Sequence, residues 1–159
     1  MIYQGTQGDD VAVGTADDDH MHGHAGDDAL IAGRGDDTLR GGSGNDYLSG
    51  NQGSDLMWGG KGADTFVFDG DFDADLIADF DARDGDRLEF WFYAPERASW
   101  DAGTILDFAE EIGNRTGGTD LRITIPGGDE SIEMKNVSLA DLSIDDISVH
   151  FYSEDTGLA

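Results

Sequence analysis

The chain has 159 residues, no cysteine, and 35 acidic against 9 basic side chains, giving a formal net charge of −26. That length admits one domain or two small ones, and that charge calls for a cationic partner while disfavouring nucleic acid and anionic membranes. No disulfide can hold the fold, no secretory leader of the basic-plus-apolar type is visible, and no apolar run is long enough to span a bilayer.

After a short lead-in, Met1–Gln4, residues 5–67 divide into seven consecutive nine-residue units without a gap: GTQGDDVAV, GTADDDHMH, GHAGDDALI, AGRGDDTLR, GGSGNDYLS, GNQGSDLMW and GGKGADTFV. Position six is always Asp: Asp10, Asp19, Asp28, Asp37, Asp46, Asp55 and Asp64. Position eight is always apolar: Ala12, Met21, Leu30, Leu39, Leu48, Met57 and Phe66. Glycine recurs at position one (Gly5, Gly14, Gly23, Gly41, Gly50, Gly59), position four (Gly8, Gly26, Gly35, Gly44, Gly53, Gly62) and often position two (Gly33, Gly42, Gly60). This is the nonapeptide form of a calcium-binding repeat.

Each unit splits into a six-residue turn and a three-residue strand whose position-eight side chain points inward. Such a strand cannot form a sheet alone. Stacked coils bury the position-eight residues as one ladder and pair backbones about 4.8 Å apart. Two units per coil would give two parallel sheets, with units one, three, five and seven in one column and units two, four and six in the other. Residues 1–67 contain twelve Asp and no Glu. The short carboxylate suits a ligand held close to its own turn. Without a cation the stacked carboxylates repel. With one, about six oxygens at about 2.3–2.6 Å suit Ca²⁺ better than Mg²⁺. Neighbours within a column leave about five gaps for ions.

These units resemble the RTX (repeats-in-toxin) family, the haemolysin-type calcium-binding repeats of secreted bacterial proteins. The resemblance implies a parallel β-roll with Ca²⁺ in its turns, bound through the position-six Asp residues and the glycine-rich turns named above. Two departures fall in the even column: Asp17 replaces Gly at position four of unit two, and Ala32 replaces Gly at position one of unit four. The site between units two and four is therefore the expected weak one. The position-five acids Asp9, Asp18, Asp27 and Asp36 are read as adding field and solvation rather than ligation.

His20, His22 and His24 alternate, and His20 and His22 share an outward face. A transition-metal site there is the weaker reading; solvated side chains that charge at acid pH is the stronger. Arg34-Gly35-Asp36 spells an adhesion tripeptide, but all three residues already hold offsets in a repeat turn. Among outward strand positions, the odd column (Val11, Val13, Ala29, Ile31, Tyr47, Thr65, Val67) is more continuously apolar than the even one. It is expected to be covered by the second half or by a partner.

Beyond the repeats, residues 69–75 hold Asp69, Asp71, Asp73 and Asp75 and fail as an EF-hand, with Leu76 where Gly belongs and Ala82 where Glu belongs. Residues 75–93 read as two strands around a turn at Asp84-Gly85. The segment Asp75–Phe80 resembles the acidic D-x-I-x-D-F stretch that follows the last repeat in RTX proteins. That resemblance implies a sixth calcium site, completed by Asp75 against unit six. The spacing of Ile105, Phe108, Ala109 and Ile112 predicts a helix over 99–114, capped by Ser99 or Asp101 and ended by Gly113. Alternating Leu121, Ile123, Ile125 and then Ile132, Met134 around Pro126-Gly127-Gly128-Asp129 predict a hairpin. A helical turn at Ser138–Leu142 and a last strand at Ile147–Phe151 follow. The run from Met134 to Val149 resembles the endings of bacterial RTX proteins, which cap the roll and carry an uncleaved signal for the type I secretion apparatus.

The expected fold is mainly β: a parallel β-roll over 1–67, then a β-rich capping and secretion-signal region with one helix over 68–159. The expected function is a calcium-binding module, with about five to six Ca²⁺, that folds after export, stabilises a secreted, extracellular bacterial protein, and is not an enzyme. The alternative is a calcium-stabilised binding module for a polysaccharide or partner protein, belonging to a larger exported enzyme or adhesin; roll modules of this kind accompany alginate-modifying enzymes. Its contacts would be Trp58, Trp91, Tyr93, Trp100, Arg83, Arg87 and Arg97.

Overall fold

The computed structural model describes residues 1–70, 72–92, 99–126 and 129–152. Asp71, Tyr93, Arg97 and the Gly127-Gly128 turn, all singled out above, lie outside the described residues.

Ten strands come first: β1 (Ile2–Gln4), β2 (Val11–Val13), β3 (His20–Ala25), β4 (Ala29–Arg34), β5 (Thr38–Ser43), β6 (Tyr47–Gln52), β7 (Leu56–Lys61), β8 (Thr65–Asp69), β9 (Ala74–Ile77) and β10 (Arg87–Phe92). They alternate between two sheets, so each coil contributes one strand to each. Within the repeats, partners pair in parallel eighteen residues apart, as in Met21 with Leu39 and Leu39 with Met57, or Leu30 with Leu48 and Leu48 with Phe66. The two-column roll expected from the nonapeptide period is the observed one. All seven position-eight side chains are buried, and Leu30, Leu39, Leu48, Met57 and Phe66 are fully so.

Position four is glycine for a steric reason. Gly44 has φ 131°, and a Cβ there would land on the carbonyl oxygen of Gly26 in the coil before it. Position two also adopts positive φ in later units; His24 (84°) and Asn51 (66°) do so without being glycine.

The second half continues both sheets rather than lying across them. β11 (Ala109–Gly113), β12 (Thr119–Thr124) and β13 (Ser131–Met134) extend the first sheet to the order β1-β3-β5-β7-β9-β13-β12-β11. β14 (Ile147–Phe151) edges the second, β14-β10-β8-β6-β4-β2. The strands predicted on either side of Gly85 therefore belong to opposite sheets and form one further coil. Both sheets draw strands from either side of residue 67. The narrow aliphatic ladder widens here into aromatic packing. Phe68 stacks on Phe90 at 5.3 Å between ring centroids, Phe90 on Phe92 at 6.0 Å, and Phe72 tilts against Phe68 at 5.1 Å.

The predicted helix over 99–114 is corrected. Only α1 (Ala102–Leu106) is helical, capped by Asp101 as expected, while Ala109–Gly113 is strand β11, antiparallel to β12. Pairing of Ile112 opposite Asp120 extends the hairpin's sheet by one strand, and this long-range gain overrides a helical spacing of only four apolar residues. Gly113 accordingly ends a strand and is not a helix cap. The β12–β13 hairpin forms as predicted, with Leu121, Ile123, Ile132 and Met134 fully buried. Ser138–Leu142 is a turn rather than a helical segment, closed by Asp141 N–H to the Ser138 carbonyl at 3.0 Å, and a short 3-10 helix at Ile144–Asp146 leads into β14.

The apolar outer face of the second sheet is left open at its N-terminal end, where Val11 is 78% and Val13 66% exposed, and closes only near β8, where Val67 is buried.

Candidate metal centre

The position-six aspartates stand in two columns and bridge the coils. The Oδ1 atoms of Asp28, Asp46 and Asp64 accept the backbone N–H of Asp10, Asp28 and Asp46 in one column. Those of Asp37 and Asp55 accept from Asp19 and Asp37 in the other. All five bonds measure 2.7–2.9 Å. Each column gains one member from beyond the repeats: Asp75 accepts from Asp55 N–H, and Asp86 from Asp64 N–H, both at 2.9 Å. Asp75 thus stands against unit six. Asp86 was not singled out from the sequence. It lies twenty-two residues after Asp64 instead of eighteen, outside the nonapeptide frame. Its only signal is Asp86-x-Leu88, the same aspartate-to-apolar offset as in the repeats.

The second carboxylate oxygen is the chemically unusual one. Oδ2 of Asp28, Asp37, Asp46, Asp55 and Asp64 is buried and has no hydrogen-bond donor. Those of Asp28, Asp46, Asp55 and Asp64 sit against the position-one glycine of their own unit. A Cβ on Gly23, Gly41, Gly50 or Gly59 would land on Oδ2 of Asp28, Asp46, Asp55 or Asp64. The Gly41 carbonyl oxygen lies 2.8 Å from that same point at Gly23. Buried acceptors face one another with no donor between them, which is costly unless a cation is shared. Among the described residues no three His, Cys, Asp or Glu side chains converge on one point. Each gap thus has few carboxylates, and backbone carbonyls must supply the other oxygens. An all-oxygen set of this kind suits a hard cation with flexible coordination, Ca²⁺ rather than Zn²⁺.

Electrostatics agree. Burial, then neighbouring carboxylates, push the carboxyl groups of Asp37, Asp46, Asp64 and Asp86 up to about 6 against the opposing pull of backbone N–H groups. The same causes push Asp55 to about 7 and Asp75 to about 8. Asp10 and Asp19 differ from the rest. Their Oδ2 atoms accept the N–H of Thr6 at 2.5 Å and of Thr15 at 2.6 Å, from the position-two threonines found only in the first two units. Ala32 holds position one of unit four with its methyl fully buried, so the room glycine leaves in other units is partly filled beside Asp37. Of the candidate turn glycines, Gly8 alone among position-four residues meets nothing within 4 Å.

The position-five acids do more than add field. Oδ1 of Asp9, Asp18, Asp27 and Asp36 accepts the backbone N–H of Asp27, Asp36, Asn45 and Ser54 in the following coil, at 2.7–3.0 Å. This second ladder runs opposite in sense to the first. Asn45 continues it to Ala63. Asp79 accepts both Gly59 and Gly60 N–H, at 3.0 and 3.1 Å, and so clamps the last repeat turn. His22 and His24 stack at 3.9 Å between ring centroids, with His24 Nε2 3.0 Å from Gln4 Oε1. Arg34 bonds Gln52 through Nε at 2.9 Å, and Asp36 belongs to the outer ladder, so Arg34-Gly35-Asp36 is engaged in coil stacking.

The comparisons with known proteins fall on the same region. The family profile of the RTX calcium-binding nonapeptide repeat matches over residues 4–39, 31–66 and 40–77. Among solved structures, the AlgE6R3 subunit of the Azotobacter vinelandii mannuronan C5-epimerase is 28% identical, with TM-score 0.51, covering 98% of this chain and 85% of that one. The AlgE6R2 subunit of the same epimerase is 26% identical with TM-score 0.40, covering 89% and 93%. The extracellular lipase LipA of Serratia marcescens is 29% identical with TM-score 0.48, and the chain spans 92% of its own length but 20% of the lipase. No curated protein matches the sequence significantly. No helix among the described residues is long and apolar enough to cross a membrane. Residues 4–77, folded as a parallel β-roll whose turns present buried acceptor-only carboxylates, belong to the RTX calcium-binding repeat family.

Proposed function

We propose that the chain is a calcium-conditional folding module of an exported bacterial protein, with residues 68–159 capping the roll of residues 1–67. The observation that carries this is the set of five buried Oδ2 atoms without a donor. Position-six Asp residues and turn carbonyls would hold about five to six Ca²⁺, including one between Asp55 and Asp75, with the Asp37 site weakened by Ala32. In a calcium-poor cytosol the glycine-rich turns lose entropy on ordering and the carboxylates repel, so the repeats stay unfolded and threadable. Outside, sites with a dissociation constant of ~0.1 mM at ~1 mM Ca²⁺ each add roughly 1.4 kcal/mol, or ~7 kcal/mol for five. That matches a whole domain's stability. Folding outside would favour one-way transit through a type I exporter. The module contributes no chemistry of its own in this reading. The test is circular dichroism during Ca²⁺ titration. The wild-type chain gains β structure on adding Ca²⁺, Asp46→Ala with Asp64→Ala loses most of that gain, and a chain fully folded in chelator would sink the reading.

A second reading, a calcium-stabilised binding module within a larger exported enzyme or adhesin, has one specific support. The Arg40 guanidinium lies 4.2 Å from the ring centroid of Trp58 on the outer face of the first sheet, and no ion pair engages it among the described residues. An unpaired cation beside an aromatic ring suits an acidic polysaccharide. The similarity to a subunit of a mannuronan C5-epimerase favours the same class of ligand. Weaker retention of Arg40→Ala on immobilised polyuronate, with Ca²⁺ present, is the expected outcome.

A further inference from the structure

The opposite sheet carries a different kind of surface. On its outer face a cavity of about 310 Å³ is walled by the rings of Tyr47, Trp91 and Tyr152, floored by Ser49 and Val67, and edged by Asn51 and Asp69. Strand pairing puts these groups side by side: Ser49 is opposite Val67, and Asp69 opposite Trp91. Ser49 is only 3% exposed although its strand position faces outward. The volume lies at the lower end of small-molecule sites, which span about 300–1,000 Å³.

The rings are held in place by carboxylates. Trp91 Nε1 donates to Glu89 Oε1 at 2.8 Å, and Tyr152 Oη donates to Asp69 Oδ2 at 2.6 Å. One face of Trp91 is stacked on His150 at 4.2 Å and 16°, and Tyr152 tilts against Trp91 at 5.5 Å. Ser49 Oγ donates to Asn51 Oδ1 at 3.3 Å, and the Asn51 amide nitrogen has no acceptor among the described residues. Asn51, near the end of β6, stands at positive φ, 66°, and lines the cavity. A second, wider cavity shares Asn51 and Asp69 and continues past Gly33 and Thr15. Thr15, Gly33 and Asn51 occupy the same repeat position in successive coils, so the joined groove follows the roll axis for about 10 Å at the inter-strand spacing.

We infer that this groove is a binding track for an uncharged, hydroxyl-rich glycan, with one sugar ring seated among Tyr47, Trp91 and Tyr152. Sugars present apolar C–H faces to aromatic rings, and hydroxyls to carboxylate, amide and hydroxyl groups; both sets are present here. Charge selects within the class. Asp69 lines the ring site and Glu89 stands behind Trp91, in a chain of net charge −26, so a uronate or sulfated sugar is repelled from the ring site. Arg34, bonded to Gln52, is the one cation lining the wider cavity among the described residues. An organic cation would satisfy the charge but leave Ser49 and the Asn51 amide unmatched. The site lies on the sheet opposite Arg40 and Trp58, takes an uncharged rather than an acidic glycan, and goes beyond both readings above.

The experiment uses the full chain in saturating Ca²⁺, with folding verified first by circular dichroism so that failure to fold is read separately. Cellohexaose, maltohexaose and mannohexaose are titrated against oligomannuronate and choline while the indole resonances are followed by NMR. The expected result is a shift of the Trp91 indole with at least one neutral hexasaccharide and with neither charged probe. Trp91→Ala and Tyr47→Ala weaken that binding at least tenfold, and Leu139→Ala, at an exposed residue away from the cavity, leaves it unchanged. If Trp91→Ala perturbs the fold, the half-exposed Tyr47→Ala decides alone. The inference is overturned if no neutral hexasaccharide shifts Trp91, if oligomannuronate or choline shifts it instead, or if Tyr47→Ala binds as tightly as wild type.

Discussion

At the scale of single residues, the roll depends on which oxygen of each carboxylate is satisfied. Oδ1 is a structural acceptor, and in Asp28, Asp37, Asp46, Asp55 and Asp64 Oδ2 has no donor. Gly41→Ala places a methyl against Asp46 Oδ2 and 2.6 Å from its Cγ, so the carboxylate must shift. Calorimetric titration should show one ion fewer, or one site weakened at least tenfold, with β structure retained at high Ca²⁺. Asp86→Ala tests the opposite arm. It leaves the buried Asp64 N–H without its acceptor, and chemical denaturation in Ca²⁺ should show a loss of about 1–3 kcal/mol. An unchanged midpoint would mean that the Asp86 contact is not part of the column.

At the scale of elements, short strands are stable here because stacking gives every one but the edge strands β1, β2, β11 and β14 a partner on either side. Each repeat strand buries one position-eight side chain, two per coil, which is thin packing. From β8 onward the chain carries the larger aromatic core, with Phe66, Phe68, Phe72, Phe90 and Phe92 buried. Phe90 sits in the middle of that stack. Phe90→Ala should therefore cost about 3–5 kcal/mol in the calcium-loaded state, read by denaturant titration. A value below about 1 kcal/mol would show that the aromatic layer does not support the roll.

At the scale of the molecule, calcium and protons act on the same carboxylates with opposite signs. The folded-state carboxyls of Asp37, Asp46, Asp55, Asp64, Asp75 and Asp86 sit at about 6 to 8, above their ordinary 3.8. The metal-free fold therefore binds protons more tightly than the unfolded chain. Its stability is greatest below the ordinary value and is lost as pH rises through the raised values. In chelator, where the repeats are unfolded near neutral pH, circular dichroism should show β structure being gained on going from about pH 7.5 to about pH 5. In saturating Ca²⁺ the bound carboxylates must be ionised, so the same acidification should weaken Ca²⁺ binding and lower stability. Metal-free stability that rises with pH would contradict the buried, mutually repelling ladder.

The sequence by itself determined what depends on local period: seven repeat units at two per coil, the inward ladder of position-eight residues and the two columns of aspartates. The family resemblance pointed to Asp75 against unit six, and alternation over a short stretch marked the β12–β13 hairpin. Only the tertiary structure decided three things. Ile105, Phe108 and Ile112 repeat at helical spacing, yet the helix stops at Leu106 and Ala109–Gly113 is strand, because an antiparallel partner was waiting at Thr119–Thr124. Asp86 joins a column from outside the nonapeptide frame, since a column is defined by proximity between coils and tolerates a longer connection. The position-five acids are exposed, as their place in the turn suggests, and stacking also brings each within hydrogen-bonding distance of the next coil's N–H. A period states which side chains share a face; whether a polar atom on that face meets a donor, another acceptor or an ion depends on the neighbouring coil, and that is a property of the folded chain.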